Sequence, residues 1–244
     1  MRHLIAVMFV LPLMAATIAR GDESLIQESL IQEVSLPDLE RNGSRFYLAG
    51  IVGSSFATLT SPGLPSATEP LFTSGGAAGV AFEMWDRAWR LEVEGRARDP
   101  ITGNAEIPGG TSTLSATGGW STTVNLWRDY DVTEWLSCYV GGGIGGGGYR
   151  LGVNQDYPEQ DSKRSGLGTV GGFAWQAGGG IAYAITDRIT LDLGYRFFDL
   201  GSGGVNAQTT QTGVPISTQS LTSAFSANEL FFAIRVYEPF RLGR

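Results

Sequence analysis

The chain has 244 residues, a length that fits one domain of barrel size. Glycine fills 35 positions, about twice the usual ~7%, charged residues are only 17% against a usual ~25%, and Lys163 is the sole lysine. A formal charge of −7 with no basic concentration excludes a nucleic-acid surface, and a single cysteine (Cys138) with a single histidine (His3) excludes a Cys/His transition-metal site, so no cofactor is expected.

Residues 1–21 read as a secretory signal. Arg2 supplies the positive start, Leu4 to Ile18 the apolar core, and Ala19 and Gly21 sit at −3 and −1 of a cleavage site. The apolar run is about 15 residues, short of the ~20 that a spanning helix needs. Residues 22–44 form a polar periplasmic extension with a tandem five-residue repeat, SLIQE-SLIQE, from Ser24 to Glu33. Ile26, Leu30 and Val34 are spaced for a short amphipathic helix, which Pro37 ends.

From Arg45 onward, eight strand-like stretches follow. In Phe46–Phe56, Phe46, Leu48 and Val52 share one face, and Tyr47, Ala49, Ile51 and Gly53 the other. Gly76–Trp85 sets Val80, Phe82 and Met84 against Gly79, Ala81 and Glu83. Trp89–Arg98 alternates most clearly: Leu91, Val93, Gly95 and Ala97 oppose Arg90, Glu92, Glu94, Arg96 and Arg98. About 116–128, Trp120, Thr122, Val124 and Leu126 oppose Ser121, Thr123 and Asn125. In Trp135–Tyr149, Leu136, Cys138, Val140 and Ile144 share a face, and glycines fill most of the rest. That run lacks the Gly-Lys-Ser/Thr of a phosphate loop; it marks a sharply curved wall or one lying against bulky side chains such as Tyr139. Phe173–Asp199 forms a hairpin turning around Thr186-Asp187, with Ile189, Leu191, Leu193, Tyr195 and Phe197 opposite Thr190, Asp192, Gly194 and Arg196, and Gln176 sharing the small-residue face of its own strand. The eighth stretch, 227–237, points Leu230, Phe232, Ile234 and Val236 to the apolar side.

Alternation alone leaves open which face is inside. The polar face is crowded with Gly and Ala, which suits a cramped lumen, and large rings cluster near strand ends as membrane girdles do. The apolar face is therefore assigned to lipid. Charges turned into a narrow barrel survive only when paired, so Glu83, Arg90, Glu92, Glu94, Arg96, Gln176, Asp192 and Arg196 are expected to form a polar network in the lumen. The connections support the same orientation: turns after strands two, four and six are short, whereas 57–75, 99–115, 150–172 and 199–226 read as long loops.

The sequence Gly178–Thr186 followed by Leu191–Phe197 resembles the closing hairpin of the small OmpA/opacity-type outer-membrane β-barrels, with their Gly-rich strand, Tyr-x-Ile/Leu-Thr, turn, and Leu-x-Leu-x-Tyr-Arg-Phe/Tyr. The general scheme extends over roughly 45–240. The resemblance implies an all-β, eight-stranded antiparallel up-and-down transmembrane barrel with short periplasmic turns and long extracellular loops. Its partners would be outer-membrane lipid and, during biogenesis, the barrel-insertion machinery. Phe240 is the candidate for the terminal aromatic which that machinery reads, and residues 241–244 form a polar tail.

Small-barrel deacylases, acyltransferases and proteases of this general architecture use histidine; the only one here, His3, lies in the expected signal, so no enzyme activity is expected. Asp156, Glu159 and Asp161 read as a solvated loop in preference to a calcium site. Three functions are left: a structural or surface-recognition barrel acting through its loops on an unspecified ligand, a narrow ion-conducting pore, and a soluble exported barrel binding an apolar ligand.

Overall fold

The computed structural model describes residues 44–62 and 66–239. The expected signal, most of the extension with its repeat, and the polar tail lie outside the described residues. Among the described residues nine strands follow one another: β1 (Arg45–Thr60), β2 (Ala67–Glu83), β3 (Ala88–Arg98), β4 (Ile101–Ile107), β5 (Gly110–Asp131), β6 (Leu136–Tyr157), β7 (Ser162–Thr186), β8 (Ile189–Gln211) and β9 (Val214–Tyr237). All pair antiparallel. β1 pairs with both β2 and β9, and β3 pairs with β5, so eight strands close into a ring. β4 pairs only with β5, continuing β3 after the break at Asp99-Pro100.

The stretches that read as long loops are largely strand. β5 to β9 are strands of 22 to 25 residues, running well past the apolar segments. Their Ser, Thr, Gln and Asn residues carry little apolar alternation outward, which hides their strand character. Here it is the inward face that is apolar.

The wall therefore has two halves of opposite polarity. Near the short turns, Leu91, Val93, Val124, Leu126, Val140, Ile144, Ile181, Leu193, Leu230, Phe232 and Ile234 are exposed on the outside, while Arg90, Glu92, Glu94, Arg96, Asn125, Asp192, Arg196 and Glu229 are buried inside. On β7 the exposed apolar run reaches from Phe173 to Ile185, ~40 Å along the strand and ~30 Å along a barrel axis tilted by ~40°. Near the long hairpins, a continuous apolar cluster fills the inside, including Leu59, Leu71, Ile101, Leu114, Leu151, Val153, Val170, Phe198, Leu200, Leu221 and Phe225. The outside there is mostly hydroxyl and amide side chains, with Leu167, Val214 and Ile216 as exposed apolar exceptions.

Two bulges sit at the junction. On β5 the register with β6 shifts between Thr117 and Trp120, with Gly118 at φ +62; on β8 the register with β9 shifts between Asp199 and Ser202, with Gly201 at φ +70. Each left-handed residue needs glycine, and each adds one residue that exchanges inward and outward parity along its strand. Below Gly118 the odd positions Ser121, Thr123 and Asn125 face inward; above it the even positions Ser112, Leu114 and Ala116 do. Pairing between β7 and β8 is interrupted from Gly166 to Trp175, and Val170 and Val205 fill the inside of that seam.

Glycines make room where bulky residues point inward. A Cβ at Gly194 would lie 2.6 Å from the Tyr139 hydroxyl, and one at Gly180 2.7 Å from it. The β6 glycine run itself lies against β5, where Gly141 backs Trp127 and Gly143 backs Asn125.

Candidate functional site: the barrel lumen

Period-two alternation on β3 delivers five successive inward side chains, Arg90, Glu92, Glu94, Arg96 and Arg98, and neighbouring strands supply their partners. The upper layer holds three arginines and two glutamates. Glu229 accepts from Arg98 Nε at 2.9 Å and Arg196 Nε at 2.7 Å. Glu94 accepts from Arg96 Nε and Arg196 Nη1, each at 2.8 Å. Arg96 Nη1 also reaches Thr73 and Arg98 Nη1 reaches Ser121. The guanidiniums lie against rings, Arg98 over Phe198 at 4.0 Å and Arg96 and Arg196 over Phe231 at 5.2 and 5.1 Å. The Nη2 groups of Arg96, Arg98 and Arg196 have no hydrogen-bond acceptor among the described residues, and stacking on the rings adds a cation–π attraction.

Glu92, in the middle layer, is held by neutral donors: Tyr47 OH at 2.8 Å, Trp127 Nε1 at 2.7 Å and Asn125 Nδ2 at 3.0 Å. Asn125 also donates to Glu94, and Gln176 donates to Asn125 Oδ1 at 2.6 Å and to Thr123. Nearest the short turns, Arg90 grips Asp129 with two bonds (2.7 and 2.9 Å), and Arg235 grips Asp192 with two (2.6 and 3.2 Å) while also reaching Tyr237. Arg90 and Arg235 stack on Tyr139 and Tyr47.

Across the three layers, Arg90, Arg96, Arg98, Arg196 and Arg235 meet Glu92, Glu94, Asp129, Asp192 and Glu229, so the lumen charges balance one for one. A buried charge is tolerated only with such compensation, because removing one partner strands the other in a medium of low polarity. The remaining space is small: a cavity of about 30 Å³ between Glu92, Glu94, Arg90 and Asp192, room for a water or two. A wider vestibule of about 270 Å³ opens at the short-turn mouth, lined by Glu83, Asp131, Glu134, Trp135 and Arg235 among others.

Of the residues expected in the network, Arg90, Glu92, Glu94, Arg96, Gln176, Asp192 and Arg196 meet inside the barrel. Glu83 does not join them. It is the last residue of β2, exposed at the mouth, where water solvates its carboxylate and no cation is needed. Sequence reasoning missed Glu229, Arg235 and Asp129 as members and left Arg98, Asn125, Tyr47 and Trp127 outside the set. The signal was present: with Leu230, Phe232 and Ile234 outward, parity turns Glu229 and Arg235 inward. Ile51, an apolar exception to a polar lumen, packs with Ala77, Phe231 and Ala233 against Ala49.

The family model described as outer membrane protein beta-barrel domain matches residues 31–217. The chain belongs to that family. It is an outer-membrane barrel, with its short turns periplasmic and its long hairpins extracellular. Among solved structures, it is similar to Neisserial surface protein A, at 19% identity over 80% of this chain and 98% of that one with a TM-score of 0.40. It is also similar to Ail, the attachment invasion locus protein of Yersinia pestis (11%, 80% and 99%, TM-score 0.36), and to OprG from Pseudomonas aeruginosa (12%, 80% and 96%, TM-score 0.38). No curated protein matches the chain significantly.

Proposed function

We propose that this outer-membrane barrel does not conduct, and that its working surface is the crown of extracellular hairpins formed by β4–β5, β6–β7 and β8–β9. One observation carries the reading: the strands run past the lipid-facing belt and exchange polarity there, so an apolar interior holds up a polar outer wall. Hairpins with a core of their own present a fixed surface, unlike loops without internal packing. The outward side chains on offer are mainly hydroxyl and amide groups, such as Thr169, Asn206, Gln208, Ser220 and Thr222, together with Arg150, Asn154 and Lys163, and a few apolar ones, Leu167, Val214 and Ile216. This chemistry suits hydrogen bonding to glycans or to polar protein surfaces. The role is one of recognition, and no catalytic step is assigned to it.

The narrow-pore alternative requires a wetted path. The apolar cluster above the charged layers and the balanced pairing within them both speak for a closed lumen. The soluble-barrel alternative would need its exposed Leu/Ile/Phe face inside, opposite to the arrangement here.

The test pairs two measurements on the same preparations. Cells carrying the protein are assayed for attachment to immobilised glycans and plasma proteins, with the β6–β7 and β8–β9 tips shortened in turn, and the purified barrel is placed in planar bilayers. The proposal predicts attachment that falls when a tip is shortened, and a silent bilayer. Discrete conductance steps that change in Arg96→Ala would contradict it.

A further inference from the structure

The lumen absorbs nearly every arginine in the membrane-spanning strands, with one exception. Arg128, on β5, points outward among Leu126, Tyr130 and the β3 residue opposite it, Trp89. Among the described residues it is the only Arg or Lys on the lipid-facing side of the belt. Its guanidinium carbon lies 4.7 Å from the Tyr130 ring centroid and 5.6 Å from that of Trp89, so two aromatic walls hold the cation. No carboxylate pairs with it, and neither Arg128 Nε nor Trp89 Nε1 has an acceptor among the described residues. Every other belt-level arginine described above has a carboxylate.

Depth explains how such a cation is tolerated. Arg128 is three residues from the end of β5, at the level of the periplasmic girdle that Tyr130, Trp135 and Tyr183 form, with Trp135 and Tyr183 ring to ring at 5.3 Å. A lipid-facing arginine is costly at the bilayer midplane and nearly free at the interface, where headgroups reach it. An interfacial guanidinium without a protein counter-charge, its Nε covered by protein and two rings beside it, leaves its two terminal amino groups to meet a phosphate.

We propose that Arg128, Trp89 and Tyr130 form a binding site for the phosphodiester headgroup of a periplasmic-leaflet glycerophospholipid. The aromatic walls fix the guanidinium plane, the phosphate supplies the missing negative charge, and the acyl chains lie along Leu126, Leu91 and Val140. The site anchors the barrel at a set depth on its turn side.

The experiment uses the full chain folded in maltoside micelles, which contain no phosphate. Short-chain phosphatidylglycerol and, separately, inorganic phosphate are titrated in while the Trp89 indole N–H resonance is followed, assigned by its loss in Trp89→Phe. A saturable shift with the lipid is expected, at least about tenfold weaker with inorganic phosphate and in Arg128→Gln. Heat-modifiable gel mobility reports that Arg128→Gln is folded. A second variant, Tyr130→Leu, keeps the charge and removes one wall, and is expected to weaken binding by about two- to fivefold. An unshifted indole in the wild type, equal binding in Arg128→Gln, or, should that variant fail to fold, equal binding in Tyr130→Leu would overturn the site. Equal response to inorganic phosphate would overturn the lipid assignment.

Discussion

The two halves of this barrel are built from the same strands with opposite instructions. In the membrane half, leucine and isoleucine face out and ion pairs face in; in the extracellular half, leucine and phenylalanine face in and hydroxyls face out. Apart from the bulges at Gly118 and Gly201 the strands run on without a break in their pleat; what differs is the solvent outside. Where lipid surrounds the wall, there is no hydrophobic gain from filling the lumen with apolar groups, and polar groups there must satisfy one another. Where water surrounds it, burying an apolar interior is favourable at about 25 cal/mol per Å² in the usual way. The Arg98 guanidinium lying 4.0 Å from the Phe198 ring marks the level where one logic gives way to the other.

That contrast can be broken from either side. The largest effect is expected from Glu229→Ala, which leaves Arg98 without a carboxylate and Arg196 with Glu94 alone in the buried layer, and should cost about 3–5 kcal/mol in reversible urea unfolding from lipid vesicles. Phe225→Ala, in the extracellular core against Tyr149 and Phe198, should cost about 3–5 kcal/mol at most. Its loss should be read locally, as faster amide exchange in β8 and β9 above Gly201 with the belt unchanged. Leu193→Arg, on the lipid face near mid-belt, should destabilise by about 2–4 kcal/mol in the same unfolding assay. The equivalent outward change in the crown, Thr222→Arg, should stay within about 0.5 kcal/mol, because that face already meets water. A similar penalty at both outward positions would erase the distinction between the halves.

The membrane half was legible in the sequence because its outward residues are large and apolar and its inward ones are small or charged. Leu91, Val93, Leu191 and Leu193 declare a face, and Arg90 to Arg98 declare the other. The closure into an eight-strand ring and most of the lumen network followed. The extracellular half was not legible for two physical reasons. Its outer residues are those of a loop, since water accepts serine, threonine and glutamine in either state. Its inner alternation is also broken by the bulges at Gly118 and Gly201, so parity carried upward from Trp120 or Asp199 points each side chain the wrong way. β4, seven residues with threonine, glycine and asparagine in its first four, gave no signal. Glu83 failed in another manner: its parity was right, but the strand ends there, and position along the barrel axis decides whether an inward carboxylate is buried.

The most direct test of the account is site-directed spin labelling along one strand that crosses the junction. In a Cys138→Ala background, labels at Thr218, Ser220 and Thr222 and at Leu230, Phe232 and Ile234 of β9, all on its outward face, would be compared in liposomes for collision with oxygen and with a water-soluble nickel complex. The account predicts that 218, 220 and 222 meet the nickel complex while 230, 232 and 234 meet oxygen, with the crossover between 224 and 228. Nickel accessibility that is uniform along the strand would contradict it.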